Sequence, residues 1–160
     1  MFKVFLILVS FLVFSCTPKN GDRIPSFEYV SLNGETVNSK SIEGKATVIC
    51  VWATWCGDCI REIPELNQLV EKYKGKDEVA FLAFSDEDKP TVEKSLNRFP
   101  FKFTHLVNSK EYSDKLKMGV TKHFPQVMLI NKDLEIVFNV TENKEPIFGV
   151  LDKHIQEIIK

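Results

Sequence analysis

The sequence predicts an α/β fold, a central mixed β-sheet flanked by helices, with an N-terminal β-hairpin extension and a central αβ insertion. Three observations lead there. Short β-branched and apolar runs alternate with segments whose apolar residues recur at three- and four-residue steps. Two further apolar runs near the carboxyl end are separated only by a polar turn, as in a hairpin. One apolar stripe at helical spacing closes the chain.

In chain order, 27–30 and 35–37 flank Asn33-Gly34, a pair suited to the positive φ angles of a tight turn, and are expected to form the hairpin. Residues 47–52 read as a strand buried on both faces, ending at a cysteine motif. A helix follows with Ile60, Ile63, Leu66, Leu69 and Val70 on one face, ended by 72–76 around Gly75. Residues 79–84 are a second buried strand, and 91–99 a helix behind Pro90, a favourable starting residue. Residues 102–107 are expected as a third strand and 109–118 as a short helix. Residues 126–130 and 135–140 form the closing strands around Asn131-Lys132-Asp133, and Ile147, Val150, Leu151, Ile155, Ile158 and Ile159 line the final helix.

A length of 160 residues gives room for one domain, and 44% hydrophobic with 27% charged residues excludes a disordered chain. The formal charge of −1 and the absence of a basic run exclude a nucleic-acid footprint and a polybasic membrane patch.

At the amino end, Lys3 precedes an apolar stretch from Val4 to Phe14, interrupted only by Ser10 and followed by Ser15 and Cys16. This is the layout of an export leader and too short to span a bilayer as a helix; a buried core helix is the alternative. Val13-Phe14-Ser15-Cys16 resembles a bacterial lipoprotein cleavage site, although Phe14 is bulky there. The expectation is a signal peptide over 1–15, acylation of Cys16, a polar Pro- and Gly-containing tether over 16–23 and a folded domain over 24–160, with ordinary signal cleavage as the alternative. Such a chain stands on the periplasmic side of a bacterial envelope, held to a membrane by lipid.

Of the four cysteines, at 16, 50, 56 and 59, only one pair is close in sequence. Trp55-Cys56-Gly57-Asp58-Cys59 lies where a buried strand meets a helix, which places Cys56 at the helix N-terminus. Free N–H groups and the helix dipole stabilise a thiolate there, so Cys56 is the expected nucleophile. Cys59, one turn on, is placed to attack a mixed disulfide at Cys56. A structural zinc site would need a second ligand pair, which the sequence lacks. A bridge closing so short a loop would stabilise the fold little. Cys50, on the buried strand, reads as a small core residue.

The chain from Ile24 onward resembles the membrane-tethered thioredoxin-like proteins of the bacterial envelope, the TlpA and ResA group, with an AhpC/TSA-redoxin-like domain. The resemblance rests on Asn33-Gly34-Glu35 with Gly44-Lys45, on Trp52-Ala53-Thr54-Trp55-Cys56, on Cys59-Ile60-Arg61-Glu62-Ile63-Pro64, and on 119–125 leading into an apolar strand. It implies a thioredoxin-like fold and a protein-disulfide oxidoreductase. That enzyme needs no cofactor or metal beyond a Cys56–Cys59 disulfide. Its partners would be exported proteins with disulfides or thiols and an upstream membrane electron donor, with cytochrome c maturation as one role.

The same resemblance makes Glu62 a proton-transfer acid, and the three-residue spacing independently puts it on the helical face of Cys59; a solvated helix charge is the alternative. Pro125 matches the family's cis-proline, with an ordinary trans proline as the alternative, and Phe124, Pro125 and Trp55 are the expected substrate-binding residues. Three positions depart from the pattern. Asp58 stands where many relatives have proline, and its charge should disfavour a Cys56 thiolate. Cys50 replaces a polar or acidic residue, and Gln126 a threonine. Two other functions have sequence requirements of their own. A peroxiredoxin-type peroxidase needs Thr or Ser three residues before the reactive cysteine and Pro seven before, where Ala53 and Ile49 stand. A copper carrier would add His123 to the two thiolates.

Overall fold

The computed structural model describes residues 19–117, 123–140 and 146–160. The expected signal peptide, Cys16, residues 119–122 of the proline loop and the end of the 109–118 helix lie outside the described residues.

β1 (Glu28–Val30) and β2 (Thr36–Asn38) pair antiparallel as the expected hairpin. Its loop is five residues long, closed by Ser31 N–H to Glu35 O at 2.8 Å and Gly34 N–H to Ser31 O at 2.9 Å. Only Gly34 adopts a positive φ, of 84°, so Asn33 does not take the second left-handed position expected of it. β3 (Ala46–Trp52) is buried along its whole length.

α1 (Gly57–Lys72), β4 (Val79–Ser85), α2 (Lys89–Arg98), β5 (Thr104–Leu106), α3 (Lys110–Leu116), β6 (Gln126–Ile130), β7 (Ile136–Asn139) and α4 (Ile147–Ile159) follow. The sheet runs β5-β4-β3-β6-β7, with β3, β4 and β5 parallel and β6 and β7 antiparallel to their neighbours. The mixed sheet is therefore the one expected, and α2, β5 and α3 form the insertion between its parallel and antiparallel halves.

Alternation along β3 feeds two cores. Val48, Cys50 and Trp52 join Leu66 and Leu69 of α1, Val92 of α2 and Leu151 and Ile155 of α4. Ile49 and Val51 face the other way, against Phe27 and Ile42 of the N-terminal extension and Tyr112 and Leu116 of α3.

Boundaries shift where a side chain takes a backbone group. α2 starts at Lys89, not Thr91, because Asp88 caps it, its Oδ1 accepting from Thr91 N–H at 3.0 Å. β5 is shorter than expected because Lys102 N–H donates to Asn67 Oδ1 of α1 at 2.8 Å and so leaves the ladder. The β6–β7 turn reaches Leu134, at φ 64°, with Asn131 Oδ1 accepting from both Asp133 N–H and Glu135 N–H.

Residues 19–23, read from sequence as tether, are partly laid on β7. Gly21 N–H donates to Ile136 O at 2.7 Å, Ile136 N–H to Asp22 O at 2.9 Å, and Arg23 pairs with Glu135. β7 is an edge strand, and its unpaired backbone groups recruit this segment.

Candidate active site

β3 delivers the chain to the top of the sheet, where Cys56 N–H closes a turn onto Ala53 O at 3.1 Å and Cys56 becomes the N-cap of α1. The capping group is the sulfur itself, which accepts the Cys59 N–H at 3.1 Å. A helix N-terminus directs its free donors and positive dipole end at this atom, which stabilises negative charge on it. Cys56 and Cys59 are joined as a disulfide, with Cα atoms 5.3 Å apart, and are 6% and 3% exposed. Cys56 is the edge of the pair that meets the surface, lining an open cavity of about 400 Å³ with Trp55, Gly57, Asp58, His123 and Phe124.

Across that opening the Phe124–Pro125 peptide bond is cis. The loop is closed by Gln126, whose buried side chain donates from Nε2 to His123 O at 3.1 Å. That is a local structural use for Gln126. Trp55 is 72% exposed and meets the Phe124 ring edge-on at 5.5 Å, so the two aromatic side chains join to wall the groove beside Cys56.

Glu62 lies one turn beyond Cys59. It lines a second cavity, of about 260 Å³, with Asp58, Arg61, Glu65, His123 and Pro125. Its Oε2 is buried without a hydrogen-bond partner. Burial, then the charges of Asp58 and Glu65, push its carboxyl up to about 7 against the opposing pull of Arg61. Glu62 is half-buried in the wall of this cavity. Asp58, whose charge was expected to bear on Cys56, is ion-paired with the Arg61 guanidinium. Cys50 is buried and free, as expected of a core residue; burial, and then the charge of Glu62, push its thiol well up.

The structure thus brings Trp55, Cys56, Cys59, Glu62, Phe124 and Pro125 together at one end of the sheet. Sequence reasoning passed over Glu87, Lys117 and Glu65. Glu87 grips Thr54, with Oε2 2.7 Å from its N–H and Oε1 2.6 Å from its hydroxyl. Lys117 sets its ammonium 4.6 Å from the Phe124 ring centroid. The available signal was the acidic run 86–88 directly after a buried strand, at the same end of the sheet as the cysteines.

Comparison with known proteins agrees with this geometry. Residues 20–139 match the model of the AhpC/TSA family.

The chain belongs to the AhpC/TSA family.

Its relatives include the thiol-disulfide oxidoreductase ResA of Bacillus thuringiensis, 30% identical over 137 residues, which cover 83% of this chain and 77% of the relative. A thioredoxin-like protein of Haemophilus influenzae is 27% identical over 135 residues, covering 82% and 77%. Among solved structures, one described as a thiol:disulfide interchange protein DsbE of Chlorobium tepidum superposes with a TM-score of 0.76 at 25% identity, over 90% of this chain and 100% of the other. This AhpC/TSA member is a thiol-disulfide oxidoreductase of the thioredoxin superfamily, with a redox-active Cys56–Cys59 pair.

Neither rival chemistry gains support. Ala53, at the position where a peroxidase needs a hydroxyl, is buried and has none. Among the described residues no group of three or more His, Cys, Asp or Glu side chains is placed to hold a metal ion. His105 is buried with Nε2 2.9 Å from Phe101 O, and His154 stacks on Phe138.

Proposed function

We propose that this oxidoreductase reduces disulfides in exported proteins on the periplasmic side of a bacterial membrane, tethered there through acylated Cys16. An upstream membrane donor would keep it in the dithiol form. The observation that carries this reading is the placement of a disulfide at a helix N-terminus, with an aromatic groove beside it and a half-buried carboxyl one turn on, which desolvation pushes up to about 7.

In the dithiol form the Cys56 thiolate attacks one sulfur of a substrate disulfide. A Cys56–substrate bond forms, and the other substrate sulfur leaves as a thiolate that takes a proton from solvent. Glu62, ionised in part at neutral pH, accepts the Cys59 proton. The Cys59 thiolate then attacks Cys56 Sγ, the Cys56–Cys59 bond forms, and the second substrate thiol is released. Two electrons pass from the enzyme to the substrate. The groove beside Trp55 and Phe124-Pro125 receives an extended substrate segment, main chain against the proline loop, which gives affinity without demanding one sequence. The envelope setting and a role in cytochrome c maturation rest on the resemblance to the TlpA and ResA group, with which the relatives named thiol-disulfide oxidoreductase ResA agree.

The test is trapping from cells. Cys59→Ala should accumulate mixed disulfides through Cys56 with exported proteins, and Glu62→Gln should slow the second step about 100-fold near neutral pH. Palmitate label should follow Cys16 and be lost in Cys16→Ala. No adduct with Cys59→Ala, or adducts that persist in the Cys56→Ala, Cys59→Ala double variant, would remove the exchange mechanism.

A further inference from the structure

The two walls of the groove come from distant parts of the chain, and both are held by one short loop after β4. Glu87 takes the wall that carries Trp55 and Cys56. Its two carboxylate oxygens accept the hydroxyl and N–H of Thr54, and Oε2 also accepts from Ser85 Oγ at 3.2 Å. Thr54 is the second residue of the turn closed by Cys56 N–H to Ala53 O, so this grip fixes the approach to both Trp55 and the nucleophile.

Asp86, one residue earlier, reaches the Phe124 side through Lys117. Its Oδ2 lies 3.4 Å from Lys117 Nζ, which Asp114 Oδ1 holds at 3.0 Å, and its Oδ1 is buried without a hydrogen bond. The Lys117 side chain is only 8% exposed, and its ammonium sits 4.6 Å from the centroid of Phe124. A buried ammonium held between two carboxylates has little freedom, and it holds the aromatic face beside it.

The base of this loop is itself fixed. Ser85 O accepts from Ser109 N–H at 3.0 Å and Ser109 Oγ at 2.9 Å, and Glu87 O accepts from Asn108 N–H at 2.9 Å.

We infer that Asp86 and Glu87 are positioning residues that together set the contact between the Trp55 and Phe124 rings beside Cys56, and so determine which polypeptide disulfides reach Cys56. The inference rests on the groove reading proposed above. A carboxylate that clamps two donors of one residue loses geometry as well as energy when removed, and small misplacements near a reacting atom weigh heavily on rate.

Two readouts test it in Glu87→Gln and Lys117→Met, each checked for folding by near-ultraviolet circular dichroism. The first is the nuclear magnetic resonance signal of the Trp55 indole, which reports the Phe124 ring directly and needs no substrate. The second is the ratio of kcat/KM for a disulfide-bonded peptide to that for hydroxyethyl disulfide, which is too small to span the groove. We expect the Trp55 signal to move in both variants and the ratio to fall about tenfold, with the double variant losing less than the product of the single losses. Should a variant not fold, Thr54→Val and Asp86→Asn carry the same measurements. An unmoved Trp55 signal with an unchanged ratio would overturn the inference. A moved signal with an unchanged ratio would uphold the positioning and overturn the groove as the substrate site.

Discussion

Glu65, on α1, caps α4: its Oε2 accepts the backbone N–H of Phe148 at 3.0 Å. The first residue before that helix is Pro146, which has no side-chain acceptor to offer, so the cap comes from the neighbouring helix. The same contact closes the cavity that Glu62 lines, because Glu65 and Ile147 are both in its wall. Removing the acceptor with Glu65→Ala should cost about 1 kcal/mol and lower the thermal midpoint by roughly 2–4 °C, while Glu65→Gln keeps most of both. Equal midpoints for the two variants in calorimetry would show that the cap contributes nothing.

Glu62 should leave a pH signature on stability. Its carboxyl rises from 4.5 to about 7 in the fold, chiefly through burial. Between these values the native state holds more protons than the unfolded chain, so its contribution to stability falls as pH rises. Below the lower value the carboxyl is neutral in both states and costs nothing; above the upper one the full cost is present. Glu62→Gln should therefore match the parent protein in urea midpoint at pH 4 and exceed it at pH 8. Parallel midpoints across that range would contradict the buried carboxyl.

Cys50 should be chemically silent. Burial and the Glu62 charge push its thiol up, away from the reactive thiolate form. In reduced native protein, iodoacetamide should label Cys56 promptly and Cys50 only after unfolding. Native labelling of Cys50 at a rate comparable with Cys56 would show that β3 opens.

The groove walls should weigh on binding more than on folding. Trp55 is largely exposed, so Trp55→Ala should change stability by no more than about 0.5 kcal/mol. With a peptide disulfide, Trp55→Ala and Phe124→Ala should each raise KM about tenfold and reduce kcat less, since aromatic anchors dominate such contacts. A pure kcat loss would place both residues in the chemical step instead.

The sheet and the redox pair were legible because their signals are local. A buried strand such as β3 shows as an apolar run, and Cys56 and Cys59 declare themselves by spacing at a strand–helix junction. Glu62 was legible in position, through its turn from Cys59, but its burial depends on α4 and the proline loop, which meet it only in three dimensions. Glu87 and Lys117 were illegible for the same reason, since each acts on a residue far along the chain, Thr54 and Phe124. Asn67 shortened β5 from α1 by taking one N–H, an effect no strand pattern contains.

The pairing of Gly21 and Asp22 with Ile136 fixes more than an edge. Ile136 pairs with Ile130, which itself faces Thr47 at the start of β3, whereas Cys56 follows Trp52 at the other end of that strand. Five residue steps of about 3.3 Å, from Thr47 to Trp52, separate these poles by roughly 17 Å. Residues 19–23 therefore lie near the pole of the sheet opposite the one from which the redox pair is delivered.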